Sequence, residues 1–296
     1  MKNESAASRI FDACNYTFLF LLSLTFLYPV FFVISTSLSS AQAIVTGKVF
    51  FLPVDFTLSA YEYTFKDASI IRSVLFTVEL TALGTLTSLI ITALAAYPLS
   101  RRQLKGAGII MRLIVFTMYF SGGMIPTYLV VRDLHLFNSV WSLILPGAVS
   151  TFLLIIMITF FRSLPVELEE AAKLDGCSNF GIFFRVFLPI STAIIATVTV
   201  FLSVGYWNTF FDGLLYIQDL NKMTLQVKLY YVLNAFQDPL NKTANAASRV
   251  MGGNAKIIPE NVKGATIVIA VLPVMIVYPF MQKHFVKGAT IGAIKG

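Results

Sequence analysis

The feature that most constrains this chain is a recurrence of apolar runs, each long enough to cross about 30 Å of hydrocarbon as a helix. Six such runs are placed at 16–35, 73–97, 111–131, 140–161, 187–208 and 264–281. Of the 296 residues, 57% are hydrophobic and 12% charged, roughly half the charged share of a soluble domain. A water-soluble fold cannot hide that much apolar surface, so the bilayer is the main solvent. The expected fold is all-α: a polytopic membrane protein of six transmembrane helices in a single domain over 1–296.

The net charge of +7 does not mark a nucleic-acid-binding face, because Lys and Arg are dispersed in short loops between apolar runs. They act instead as orientation signals. The segments 98–110, 162–186 and the tail from 282 share one side with the N-terminus and carry Arg101, Arg102, Lys105, Arg162, Lys173, Arg185, Lys283 and Lys287. By the positive-inside rule that side is the cytoplasm, and both termini are expected there. The opposite side holds two long segments, 36–72 and 209–263, where the rule is weak. Ala41-Gln42-Ala43 has the form of a signal-peptide cleavage site, but the run before it exceeds the usual h-region, so a retained first span is expected. Cys14 and Cys177 then both face the cytoplasm with no metal-ligand spacing, and neither is assigned chemistry. Pro29, Pro126, Pro146, Pro189, Pro273 and Pro279 lie in or at the ends of apolar runs, where each removes a backbone donor and can kink a helix. Such kinks fit a bundle packed around a pathway, and they fit a purely packing role equally well.

Between the fourth and fifth runs stands Pro165-Val166-Glu167-Leu168-Glu169-Glu170-Ala171-Ala172-Lys173-Leu174-Asp175-Gly176. Pro165 suits a first helical turn, and the acids crowd that turn, where the helix dipole favours negative charge. Gly176 suits a left-handed stop, and Ser178 or Asn179 can cap a second helix over 180–187. Ala171 and Ala172 keep the first helix slim enough for a partner backbone, while Glu170 and Asp175 offer charge to a cationic partner. The other reading is an amphipathic connector lying on the bilayer surface.

The run Glu170-Ala171-Ala172-x-x-Asp175-Gly176, followed by Leu188-Pro189, resembles the EAA loop of binding-protein-dependent ABC importer permeases. In that family the loop, here 163–189, forms a coupling helix between the fourth and fifth spans that sits in a cleft of the ATPase subunit. This chain departs from the pattern at Cys177, where alanine is usual, and at Val186, where isoleucine is common. The blocks 96–101, 121–128 and 206–208 look like those of carbohydrate-uptake permeases, and 285–296 is similar to the tail of MalG-like permeases. The stretch Arg9–Asp12 is similar to the start of the LplC type, whose relatives are linked to complex oligosaccharides including alginate and pectin fragments.

The resemblance implies a non-catalytic permease half in the bacterial cytoplasmic membrane. Its partners would be a second homologous permease, two cytoplasmic ATPases that bind the ATP and Mg, and an extracytoplasmic sugar-binding protein. It also implies an ATPase-interface tail including Lys287, Gly288 and Lys295, whose glycines allow a slim extended path. In the long segment 209–263, Met251-Gly252-Gly253-Asn254 is the candidate tip for contact with the binding protein.

Other residues remain open to two readings. Glu79 lies inside the second run, where a carboxylate must avoid lipid; it is either a polar wall of a sugar path or a local hydrogen-bonding group. Tyr206, Trp207 and Asn208 offer the rings and amide that a pyranose needs, and equally the aromatic belt of a membrane interface. His135 and His284 are too far apart in topology to share a metal, and no GxxxxGK[ST] phosphate loop is present, so energy must come from another subunit. An ion-coupled secondary transporter would need intramembrane carboxylates or repeats, and only Glu79 qualifies. A membrane-embedded enzyme would need convergent His, Asp or Ser groups at one depth, which this chain does not offer.

Overall fold

The computed structural model describes residues 6–101, 103–235 and 258–293, and every regular element among them is helical. Three helices are long and apolar enough to cross a membrane unaided: α1 (Ala6–Ser37), α4 (Ala68–Ser100) and, through its first 21 residues, α15 (Pro259–Ala293). Three bent pairs supply the material for up to three more spans. Two short helices, α2 (Ala41–Val45) and α3 (Ser59–Lys66), lie between α1 and α4.

The contacts divide the chain into two compact units, one of Met1–Ile70 with Leu229–Leu272 and one of Ile71–Lys228 with Pro273–Gly296. In the first unit α1 presents Phe18, Phe20 and Phe26 outward, as a helix solvated by hydrocarbon can. Its hydroxyls turn back on their own helix: Thr17 donates to the Ala13 carbonyl, Ser23 to Leu19 and Thr25 to Leu21. These three hydroxyl hydrogens are thereby satisfied within the helix. The last carbonyls of α1 have no partner within the helix, and Asn261 at the start of α15 supplies one. Its Nδ2 donates to Thr36 O at 3.2 Å and to Ser39 O at 2.7 Å. Gly264 permits the approach, since a Cβ there would stand 3.2 Å from the Ser37 nitrogen.

The second unit is built on α4. Around it stand α5 (Ala107–Tyr119), α6 (Met124–Asp133), α7 (Val140–Ile144), α8 (Thr151–Ser163) and α9 (Glu167–Leu174). They are followed by α10 (Asn179–Ile182), α11 (Leu188–Ile190), α12 (Thr192–Trp207), α13 (Phe211–Tyr216) and the start of α14 (Leu225–Ala235). Leu80, Ile144, Met157, Phe161, Ile182, Phe187 and Val198 form its buried centre. Across that centre Tyr206 lies against Gly84, with its hydroxyl 2.7 Å from Ser88 Oγ.

The structure corrects three of the expected spans. The run 111–131 is not one helix: α5 and α6 meet at 111°, because Gly123 takes φ +90° and Pro126 falls in the first turn of α6, where its missing N–H has no intrahelical partner to lose. The run 140–161 bends by 56° after a 3-10 turn through Pro146, and Ser150 then caps α8. In the fifth run the straight helix starts at Thr192, not at 187, since the segment through Leu188-Pro189 lies at 83° to α12. Pro189 cannot donate to the carbonyl four residues back, and a π turn over Phe183–Phe187 precedes it. The last helix also outruns its expected span, and Gly288 is helical where an extended path was expected. A glycine in a helix costs only about 1 kcal/mol, less than leaving its backbone groups unbonded.

The Tyr206 contact sets a stability test. Gly84→Ala would place a Cβ 2.8 Å from the Tyr206 ring and is expected to lower the unfolding free energy by about 1–3 kcal/mol. Gly205→Ala, whose Cβ meets nothing within 4 Å, is expected to be neutral or stabilising. Denaturant unfolding of the two variants in detergent checks the contrast; equal losses would show that the ring is not held against α4.

Candidate functional site

The loop between α8 and α12 carries the site, and its local sequence explains its shape. α9 starts at Glu167 behind Val166 as its cap, so Pro165 stands just before the helix and not in its first turn as expected, and that turn holds Glu167, Glu169 and Glu170, the sign the helix N-terminus favours. At its other end Gly176 takes φ +79°, donating to Lys173 O at 3.0 Å, while the Cys177 N–H donates to Ala172 O at 2.9 Å. Those two bonds are the Schellman pattern that a left-handed glycine makes possible. Ser178 then accepts the Gly181 N–H at 3.2 Å and starts α10, so of the two expected caps the serine serves.

The faces of α9 are sharply divided. Glu169 and Ala172, one turn apart, are buried, and Ala172 joins the same apolar cluster as Leu99, Phe161, Ile182, Phe183 and Phe187. Glu167, Glu170, Ala171 and Leu174 follow the i, i+3, i+4, i+7 spacing of a single stripe, and all are exposed, Leu174 at 89%. Asp175 and Gly176 are exposed beside them. This corrects one expectation: Ala171 stands free for a close partner, but Ala172 faces inward. Leu188, half-buried, packs against the same cluster, and Pro189 is exposed.

Sequence reasoning passed over the residues that hold α9 in place. Glu169 pairs with Arg101 through one carboxylate oxygen and with Lys173, 2.7 Å away, through the other. The Arg101 guanidinium lies 3.9 Å from the centre of the Phe187 ring and 4.8 Å from that of Tyr97. Arg162 donates to Leu99 O at 3.0 Å and joins the ends of α8 and α4. The available signal was an arginine one residue past a membrane helix together with an acid and a lysine four apart in a facing loop. By sequence alone Arg101 is an orientation charge at the end of the family-like block 96–101.

The other candidate residues fall into two separate clefts at the opposite end of this unit. Glu79 is exposed and lines a cleft of about 470 Å³ with Arg72, Asn138, Trp141, Asn221 and Lys222. Lys222 donates to Asn138 O at 3.0 Å, and Arg72 donates to Asn221. Tyr206 lines a different cleft of about 340 Å³ with Ser150, Thr209 and Asp212. Asp212 lies just beyond the fifth span, and desolvation pushes its carboxyl above the usual range. Tyr206 and Trp207 are packed mostly inside the unit, 8% and 7% exposed. Asn208 is exposed, but its amide is engaged with Val204 O at 2.9 Å and with Gln226 at 3.4 Å. Met251, Gly252, Gly253, Asn254 and Lys295 lie outside the described residues, as does the side chain of Lys287.

Comparison with known proteins agrees with this architecture. Residues 3–291 match the family described as "Binding-protein-dependent transport system inner membrane component". The chain is 43% identical over 292 residues to the polygalacturonan/rhamnogalacturonan transport system permease protein YtcP of Bacillus subtilis, covering 98% of this chain and 99% of that protein. It is also 43% identical over 294 residues to Protein LplC of the same organism, covering 99% and 98%. Among solved structures, a bacterial ABC transporter involved in the import of the acidic polysaccharide alginate contains a chain that superposes with a TM-score of 0.88 at 34% identity, over 96% of this chain and 100% of that one. With the family matched along nearly its whole length and the permease architecture reproduced, the chain belongs to the inner-membrane components of binding-protein-dependent transport systems, as a non-catalytic ABC permease subunit.

Proposed function

We propose that this chain is one permease half of an ATP-driven importer of oligosaccharides, taking up uronic-acid-containing fragments such as those of pectin or alginate. It works by alternating access, with α9 as the joint to the ATPase. The observation that carries the coupling role is the division of α9: one face is locked into the bundle, while the stripe Glu167, Glu170, Ala171 and Leu174 projects free beside the Gly176 turn. A connector resting on a bilayer would turn its apolar residues, not two of its acids and an 89%-exposed leucine, into one shared face. A charged rim around a protruding apolar residue suits a protein cleft, where charge sets register and the apolar group fills the centre. The substrate class is supported by the YtcP and alginate-importer likenesses, whose substrates are both acidic polysaccharides.

On this reading residues 1–296 act as one permease domain with both termini in the cytoplasm. The complex contains a second homologous permease and two ATPases that bind ATP and Mg, and an extracytoplasmic sugar-binding protein delivers the load. Glu79, in the polar cleft, and the exposed Asn208 belong to the path side of the bundle, with Tyr206 and Trp207 shaping it from within. Met251 to Asn254 meet the binding protein. The tail with Lys287, Gly288 and Lys295 reaches the ATPase interface, as tails of MalG-like permeases do.

Three outcomes are expected. Cysteines at Leu220 and Lys105, both exposed, should be labelled by an impermeant thiol reagent from outside and inside the cell respectively; the opposite pattern would overturn the orientation. Glu170→Lys should abolish the ATP hydrolysis that the binding protein loaded with an oligogalacturonide stimulates, while the permease still pairs with its partner; full stimulation would remove α9 from the coupling role. Gly176→Val forces a β-branched residue into a left-handed conformation at a cost of about 1–2 kcal/mol or more. Hydrogen exchange of the backbone amides at positions 176 and 177 should therefore speed up, with a milder effect in Gly176→Asn.

A further inference from the structure

The anchor beneath α9 is directional as well as apolar. Packing of Ala172, Ile182 and Phe183 would by itself hold a short helix down, but apolar contact has little directionality and lets such a helix slide. Glu169 adds a fixed bond. Its side chain is 6% exposed, and Arg101 reaches it from the residue that follows α4. The same guanidinium covers the rings of Tyr97, in the last turns of α4, and Phe187, at the end of the π turn that leads through α11 into α12. One planar cation thus touches α4, α9 and the approach to α12. Its Nε and Nη2 are buried without hydrogen-bond partners, so the link to Glu169 runs through Nη1. Lys173 holds the second carboxylate oxygen and also reaches Gln103 at 3.4 Å. An exposed ion pair would yield readily to water, whereas separating this one strands a charge away from solvent. A displacement of α9 must therefore carry the end of α4 with it or break the pair.

We infer that Arg101 and Glu169 are positioning residues that transmit displacement of α9 to α4 and α12, so that the ATPase stroke moves the membrane helices instead of only tilting the loop. This rests on the reading of α9 as the ATPase joint and adds the route by which its motion leaves the loop. Neither residue meets substrate or nucleotide; both act through the helices they join.

The test uses the complete complex with its ATPases in liposomes and a nitroxide on a cysteine at Leu86, an exposed position in the middle of α4. In the parent protein, ATP with vanadate should change the spectrum of that label. Glu169→Gln and Arg101→Gln should each shrink the change at least fivefold while the ATPases still co-purify, and the double variant should be no worse than either single one, as for two residues acting as a unit. Glu169→Asp keeps the charge and shortens the arm by one methylene, so it should assemble normally and lose at least half of the change; if the Gln variants fail to assemble, it decides alone. A full spectral change in Glu169→Asp, additive effects of the single variants, or no change at Leu86 in the parent protein would each overturn the inference. Should Glu170→Lys uncouple the ATPases while the Glu169 variants keep the parent's response, only this route falls. Should Glu170→Lys leave stimulation intact, the reading of α9 itself falls.

Discussion

Every backbone N–H and C=O placed in hydrocarbon must find its partner within the protein, and the rest of this structure follows from that constraint. It makes every regular element of the described chain helical, and it turns the hydroxyls of Thr17, Ser23 and Thr25 in α1 back onto its own carbonyls. It also decides where the helices can break. Each of the three breaks falls where the sequence supplies another way to satisfy the backbone. Gly123 opens a new helix whose first turn receives Pro126, Ser150 caps α8, and a π turn precedes Pro189. The same rule joins α1 to α15, since the carbonyls left over at the end of α1 are met by Asn261.

The loop between α8 and α12 that the family resemblance identifies obeys a different balance. There water is available, so a short helix of eight residues has little intrinsic reason to persist. It is held by three local devices acting together: acids at its first turn, the glycine turn at its end, and burial of one face. Of these, burial of Glu169 is the costly element, and the structure offsets it with two cations and two aromatic rings instead of with solvent. Holding one face so firmly leaves the opposite face, with Glu170 and Leu174, presented in a fixed orientation. A surface meant to meet a partner gains from that, because less freedom is lost on binding.

Much was legible before any coordinates. Apolar run length gave the helical class and the membrane, because hydrocarbon thickness translates directly into residues per span. Gly176 announced the end of α9, and Ser178 or Asn179 the start of its successor, because a positive φ and a cap are demands of single residues on their own backbone. Periodicity failed at the broken spans, where a bent pair and a straight helix have the same composition. Nor does local pattern reach Tyr206: an aromatic residue at a helix end reads identically whatever it meets, and its contact with Gly84 and Ser88 joins helices more than a hundred positions apart.

The sequence by itself determined that this chain lives in a bilayer, that its helices are separated by charged loops, and that the first helix of the loop after the fourth apolar run ends on a glycine turn. All of these are written in run length or in the needs of individual residues. Only the tertiary structure decided which acid of that loop faces in and which faces out. Glu169 and Glu170 are neighbours of the same type, and one residue's step around a helix, about 100°, sends one to Arg101 and leaves the other free. That choice depends on where the end of α4 lies, 68 positions earlier in the chain, and no local pattern encodes it.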